Sequence, residues 1–434
     1  MFLNVCTTIL FLLPLTAGGD STPHETRLKR LVKSGRDQAL HDFIVEMGRL
    51  DTPESVRLIP AAAVRVASGK NYRTALEAVA QLQHVESVAE LISLLQKEGT
   101  DYREKILLLE AFGHRRDSTT LEEIFRHFDG KESLVVIAAL RAATTRQAKE
   151  TVPALIDLLE RTWSIRDRVW LEARQALFRL TGQDYDNIED WRKFWETVKA
   201  RFDPRESRDT DRRTRVARSK DSVEFFGGAI FSGNVVFLID VSASMIKWDL
   251  DERYRGRNVA RARQRLARVR RELAKTFKNL SRKARFNVIA FSDTVYSWQH
   301  ELKPATRNNL ASAASFVSKF VPSGDTHTDE ALQKAFSDPS VDTIVFLSDG
   351  APDKRTSNTP TLIIEILQWL EDNNASRKVR IETFGFVQTG NWPRKIPGLV
   401  GRRPPIPTET EVQEMVEFLK TLASYSGGTF RPIE

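Results

Sequence analysis

The sequence is almost without cysteine. Its 434 residues include one, Cys6, which lies in an apolar stretch at the N-terminus. The rest of the chain therefore has no disulfide, no zinc–thiolate site and no cysteine nucleophile. Stability must come from packing, and a hydrophobic content of 41% is enough for well-formed cores.

Common catalytic signatures are missing as well. The chain contains no G-x-S-x-G, no P-loop lysine motif and no H-E-x-x-H. Its seven histidines are scattered, and only His300 and His327 fall in the C-terminal half. Because no general base is paired with a nucleophile, we expect a protein that is not an enzyme.

The first 19 residues carry no charged side chain. An apolar core is followed by Ala17, Gly18 and Gly19, which resembles a secretory signal peptide with cleavage near Gly19. The stretch is short for a membrane span, which needs about 20 apolar residues, and an uncleaved anchor is the alternative. No later segment is apolar enough to span a membrane. We therefore expect an exported bacterial protein that is periplasmic, displayed on the cell surface or secreted.

A helical repeat runs through the N-terminal half. Segments that begin at Glu77, Glu110 and Arg141 align, and a fourth begins at Gln175, with offsets of 33, 31 and 34 residues. The matching positions are Ala78, Ala111 and Ala142, then Leu91, Ile124 and Leu155. Each unit has two apolar stripes at helical spacing and must bury them against a neighbour. The pattern resembles HEAT-like repeats and predicts an α-solenoid.

The repeats define a predicted HEAT-like domain over residues 20–200. Residues 28–67 are expected to form earlier, degenerate helices, and the aromatic helix that contains Trp191 should close the stack. Residues 201–220 are charged and lack a hydrophobic period, which predicts a linker. A second protein partner could bind the repeats.

From residue 221 to residue 434, short β-rich runs alternate with helical stripes. The runs cover 234–240, 284–292, 342–348 and 379–386 and are typical of buried parallel strands. The alternation predicts an α/β doubly wound, mostly parallel sheet domain. Ligands of such sheets bind at the carboxyl ends of the strands.

Three loops at that edge are rich in oxygen. Asp240 ends the first strand and is followed by Ser242 and Ser244, Thr326 precedes a helix, and Asp349 follows the third strand. Carboxylate and hydroxyl oxygens suit a hard cation, Mg²⁺ above all, with Mn²⁺ or Ca²⁺ as alternatives. Because neutral hydroxyls leave the charge of the ion only partly compensated, an anionic oxygen from a partner could complete its coordination.

The same residues carry a family resemblance. Residues 221–434 resemble a von Willebrand factor type A domain, whose metal-ion-dependent adhesion site follows D-x-S-x-S, then a threonine in a glycine-containing loop, then an aspartate in S-D-G. The five matching residues are Asp240, Ser242, Ser244, Thr326 and Asp349. The resemblance implies that the hydroxyls bind Mg²⁺ directly, that the aspartates often act through water, and that an Asp or Glu carboxylate of a protein partner is captured.

Residues beside this motif depart from the family pattern. Asp325 and His327 flank Thr326 where glycine and asparagine are more usual, and Trp248 follows the serines. All three are candidate partner-binding residues, with a turn or capping role as the alternative for Asp325 and His327. We expect the loops at 246–257 and 388–409 to select the partner, as loops on a rigid scaffold often do.

Two other functions remain open. The net charge is +8, and residues 253–285 hold fourteen Arg or Lys and one acid, which could bind a polyanion. Only Tyr254 and Phe277 are aromatic in this segment, fewer than single-strand binders place among their arginines, so nucleic acid is not the expected partner. A metal-assisted hydrolase is the second alternative, since fold and metal alone do not exclude one.

Overall fold

We describe the protein from a computed structural model. It describes residues 22–204, 223–248, 264–354, 358–388 and 408–434. The expected signal peptide at 1–19 lies outside these residues, as do most of the expected linker and most of both expected partner-selecting loops. Within the described ranges, no helix has the length and apolar character needed to cross a membrane.

Residues 22–204 form a helical domain. Its helices are α1 (Pro23–Ser34), α2 (Asp37–Leu50), α3 (Pro53–Val56), α4 (Leu58–Val64), α5 (Gly69–Ala80), α6 (Val85–Gln96), α7 (Tyr102–Gly113), α8 (Ser118–Arg126), α9 (Ser133–Arg146), α10 (Thr151–Thr162), α11 (Arg168–Thr181) and α12 (Ile188–Val198). Many begin at a side-chain cap, as where Asp117 accepts the Thr120 N–H at the start of α8. The helical N-terminal region expected from the sequence is confirmed.

The repeat positions occupy equivalent places in successive helix pairs. The matching alanines lie in α5, α7 and α9, and the matching Leu or Ile residues lie in α6, α8 and α10. Helices α5, α7, α9 and α11 pack one on the next. At the α7–α9 crossing, a Cβ on Gly113 would lie 2.9 Å from the Cα of Ala142, so only glycine permits this approach. The stacking is that of an α-solenoid.

Residues 223–434 form a sheet domain. Its strands are β1 (Val223–Phe225), β2 (Gly228–Ile230), β3 (Asn234–Asp240), β4 (Arg285–Phe291), β5 (Val295–Ser297), β6 (Lys303–Pro304), β7 (Thr343–Ser348), β8 (Arg380–Phe386) and β9 (Phe430–Ile433). The main sheet has the order β5-β4-β3-β7-β8-β9, with β6 beside β4. Strands β4, β3, β7, β8 and β9 run parallel.

Helices cover both faces of this sheet. They are α13 (Arg265–Asn279), α14 (Arg307–Ser318), α15 (Thr328–Phe336), α16 (Thr359–Asn374) and α17 (Glu409–Tyr425). Helices α13 and α14 bury their apolar stripes on one face, and α15, α16 and α17 on the other. The doubly wound, mostly parallel fold expected from the sequence is confirmed. Central strands are apolar on both faces because both are covered.

The two domains are in contact through the amino-end side of the sheet. Arg168 of α11 donates to the main-chain carbonyl of Asp342, just before β7, at 2.5 Å. The ring of Trp170 stacks on Phe231, just before β3, with centroids 5.3 Å apart. Lys378, before β8, pairs with Glu110 at 3.0 Å. The helical domain therefore lies on the side of the sheet opposite the carboxyl ends of its parallel strands.

Candidate metal centre

Asp240 is the last residue of β3 and is fully buried. Its Oδ1 accepts the main-chain N–H of Ser242 at 2.8 Å, and its Oδ2 accepts the hydroxyl of Ser348 at 2.6 Å. Ser242 lies in the loop after β3, and Ser348 is the last residue of β7, the neighbouring strand. The carboxylate is therefore fixed in orientation by its own loop and by the next strand.

The two serine hydroxyls lie side by side. Ser242 Oγ is 3.0 Å from Ser244 Oγ, and the Ser244 hydroxyl donates to Asp349 Oδ1 at 2.5 Å. In an octahedron with ligands at about 2.1 Å, adjacent oxygens are about 3.0 Å apart. The spacing of the two serines is that of two neighbouring ligands of one Mg²⁺.

Main-chain hydrogen bonds hold the threonine loop against the serine loop. Ala243 N–H donates to Gly324 O at 3.1 Å, and Ser323 N–H donates to Val241 O at 3.0 Å. Buried Thr326 exchanges two main-chain hydrogen bonds of 3.0 Å with Asp353, which follows Asp349 by four residues. All three predicted loops thus meet at one edge of the sheet.

Gly324 is required for this junction. Its φ is +78°, and a Cβ there would lie 2.6 to 2.8 Å from the carboxylate atoms of Asp293. The left-handed backbone favours glycine here, and a side chain would require the exposed Asp293 carboxylate to move.

The charges of the site are buried and compensated within the protein. Arg265 Nη1 donates to Asp349 Oδ2 at 2.6 Å, and the side chains are 1% and 0% exposed. Burial and the neighbouring Asp349 carboxylate raise the pKa of Asp240 to about 7. Burial lowers the pKa of Lys247. The negative charges of Asp349 and Asp240 partly offset this lowering. Two carboxylates and two cations therefore lie together.

The predicted partner-binding residues lie around this centre. Trp248 is half-buried and pairs through its main chain with Gln264. His327 occupies the N-cap position of α15 without a capping side-chain bond, and its Nδ1 lies 3.5 Å from Glu330 Oε1. Asp325 is half-buried beside Thr326. Their roles stay predictions.

Sequence reasoning missed two side chains that touch the site. Ser348 could have been found, because it is the serine of the S-D-G motif and directly precedes Asp349. Arg265 could not have been found, because it is one of fourteen basic residues in its segment. Only the packing of α13 brings it into contact with Asp349.

The donor set fits a hard divalent ion. Among the described residues, no three His, Cys, Asp or Glu side chains gather to hold a metal. The centre instead combines two carboxylates with hydroxyls, a set of oxygen donors that suits Mg²⁺ better than a soft transition metal. Ser242, Ser244, Thr326, Asp240 and Asp349 are the residues that would hold it.

Comparison with known proteins assigns the fold of this region. The family model described as the von Willebrand factor type A domain matches residues 235–351. Residues 235–351 of the sheet domain are thus similar to von Willebrand factor type A domains. Domains of this family mediate protein–protein interactions. The matched stretch runs from β3 to just beyond Asp349 and includes all five predicted metal residues.

Relatives of the type A domain occur in large animal proteins. Inter alpha-trypsin inhibitor, heavy chain 4, from Mus musculus is 30% identical over 144 residues, which are 30% of this chain and 14% of that protein. Human von Willebrand factor A domain-containing protein 3A is 26% identical over 205 residues, 47% of this chain and 13% of that protein. The chain thus matches only a small part of each.

Solved structures resemble about half of the chain. A von Willebrand factor type A protein from Catenulispora acidiphila has a TM-score of 0.31 at 20% identity, covering 48% of this chain and 40% of that one. A conserved hypothetical protein, BatB, from Bacteroides thetaiotaomicron has a TM-score of 0.33 at 16% identity, covering 46% of this chain and 90% of that one.

Proposed function

We propose that the chain is an exported adhesion or scaffold protein that captures an acidic group of a protein partner through Mg²⁺. The observation that carries this proposal is the oxygen cluster at the carboxyl edge of the sheet, in which Ser244 Oγ lies 3.0 Å from Ser242 Oγ and 2.5 Å from Asp349 Oδ1. When bound, the ion supplies an open coordination position for a carboxylate oxygen. The protein holds the hydroxyls at ligand spacing and orients Asp240.

The packing of the two domains supports this proposal. The helical domain contacts residues that precede β3, β7 and β8. The metal edge lies at the other end of these strands, so the described part of the helical domain does not cover it. Trp248, Asp325 and His327 surround that edge and are proposed to contact the partner. The helical domain is proposed to hold a second protein.

Polyanion binding by the basic segment has less support. Five of its arginines in the described part of the chain hydrogen bond within the protein: Arg265, Arg268, Arg270, Arg282 and Arg285. Arg270, for example, donates to the Val317 carbonyl at 3.2 Å. These side chains form contacts within the sheet domain and are not all available to an external ligand.

The hydrolase alternative has no observation in its favour. A hydrolase needs a base that can take a proton from water or from a nucleophile. The histidine nearest in sequence to the site, His327, has no hydrogen bond from its Nδ1 to a nucleophile in the described part of the chain. We therefore propose binding without catalysis.

The test is Mg²⁺ binding followed by partner capture. Calorimetry should show Mg²⁺ binding to the wild type and a loss of about tenfold or more in Thr326→Ala, which removes one ligand oxygen. The control replaces three exposed cations, Arg271, Lys278 and Lys283, with Gln and should leave Mg²⁺ binding unchanged. Proteins captured from a native envelope fraction should then be lost in EDTA and in Thr326→Ala.

Two results would contradict the proposal. One is a wild type that does not bind Mg²⁺. The other is capture that resists EDTA and Thr326→Ala but disappears in the triple Gln variant, since that pattern indicates a polyanion site with steep salt dependence.

A further inference from the structure

Arg265 is held rigidly against the candidate metal centre. Its guanidinium donates to Asp349 Oδ2 at 2.6 Å and to the main-chain carbonyl of Gln388, and it lies over the ring of Phe386 at 5.2 Å. The side chain is 1% exposed. A buried guanidinium with these contacts cannot leave without breaking several of them at once, so its charge is a permanent part of the site.

Lys247 adds a second internal cation. It directly follows the short helical turn that carries Ser244, and it is 3% exposed. Its buried position, three residues after Ser244, places a second positive charge in the serine loop. The two cations match the two carboxylates in number.

We propose that Arg265 and Lys247 are built-in counter-cations that weaken metal binding and make it depend on an anionic partner. This inference rests on the proposed function and deepens it. With Asp349 already paired to Arg265, a divalent ion would enter a site that holds a fixed positive charge, and electrostatic repulsion in a buried site is large. A carboxylate from a partner would restore neutrality, so metal and acidic partner should bind cooperatively.

Arg268 provides a matched control. It lies three residues further along α13, and its guanidinium also lies over the Phe386 ring, at 5.5 Å. It donates to the main-chain oxygen of Glu434 at 2.7 Å. Arg268→Gln removes the same charge and the same ring contact, but outside the centre.

The experiment compares Mg²⁺ affinity by calorimetry, with and without sodium acetate as the anionic probe. Arg265→Gln should bind Mg²⁺ about tenfold or more tightly than the wild type, while Arg268→Gln should equal the wild type. Acetate should tighten Mg²⁺ binding in the wild type and do so less in Arg265→Gln. Arg265→Lys, which keeps the charge, should resemble the wild type.

The outcomes separate this inference from the proposed function. Equal Mg²⁺ affinity in the wild type and Arg265→Gln, or no effect of acetate on the wild type, overturns the counter-cation inference and leaves the metal site standing. No Mg²⁺ binding in either protein overturns both. If Arg265→Gln fails to fold in EDTA, Lys247→Met takes its place. It should also bind Mg²⁺ more tightly than the wild type, and equal affinity would again overturn the inference.

Discussion

Replacing Asp240 with Asn should stabilise the metal-free protein while destroying the metal site. The buried carboxylate has its pKa raised from 3.8 to about 7 by burial and by Asp349. The folded state therefore keeps a proton that the unfolded state has lost, and stability falls as pH rises from about 4 to about 7. At about 1.4 kcal/mol per pKa unit, the loss amounts to about 4 kcal/mol above pH 7.

An asparagine fits the same hydrogen bonds without the charge. The amide oxygen can accept the Ser242 N–H, which now reaches Oδ1 at 2.8 Å. The amide nitrogen can donate to Ser348 Oγ, whose hydroxyl can turn to the Gly350 carbonyl at 3.0 Å. The substitution thus removes the cost of the buried charge and leaves no polar atom unpaired.

Urea denaturation in EDTA measures the effect. Asp240→Asn should exceed the wild type by about 4 kcal/mol at about pH 8, and the difference should shrink toward zero near pH 4. Calorimetry should show no Mg²⁺ binding to this variant. Asp338→Asn is a control that should change stability in the opposite direction. Burial would raise the pKa of Asp338, but hydrogen bonds from Ser340 and Leu302 outweigh it and lower the pKa. This variant should therefore lose stability. An Asp240→Asn variant no more stable than the wild type at pH 8 would refute the reasoning.

Two further changes test other parts of the structure. Burial alone would raise the pKa of Glu172, but Arg141 and Arg168 lower it to about 2. Glu172→Gln should therefore reduce the free energy of unfolding, measured by urea denaturation at neutral pH, by about 3 kcal/mol. That difference should vanish as pH falls from about 4.5 to about 2, and a difference that persists there would contradict the ion-pair explanation. Gly324→Ala should weaken Mg²⁺ binding in calorimetry and cost more stability than Gly35→Ala, which shares a positive φ of 61° but has open space around it. Equal costs would contradict the contact with Asp293.

Periodicity was sufficient to predict most of the architecture. The four apolar runs became β3, β4, β7 and β8, because a strand buried on both faces has a continuous apolar sequence. The repeat in the helical half was visible because each helix pair must bury the same faces. Strands β1, β2, β5, β6 and β9 were not predicted, since two to four residues are too few to establish a period.

The candidate site was only partly predictable. Asp240, Ser242, Ser244, Thr326 and Asp349 form a motif with fixed order, and the parallel topology places their loops at one edge. The charge balance was hidden, because the Arg265–Asp349 pair joins residues 84 positions apart and depends on the packing of α13. The domain interface was hidden for the same reason, since Arg168 reaches Asp342 across 174 positions.

The separation of the interface from the metal edge has a measurable consequence. Glu172 lies beside Arg168, which contacts the sheet domain at Asp342, before β7 begins. Asp349 follows the other end of the same strand, and six residues of β7 lie between them. Because a parallel strand extends by about 3.3 Å per residue, the two ends are about 20 Å apart, beyond the Debye length of about 8 Å at physiological salt. Glu172→Gln should therefore reduce stability yet leave Mg²⁺ affinity within about twofold of the wild type. A larger change in Mg²⁺ affinity would mean that the helical domain is coupled to the metal centre through β7.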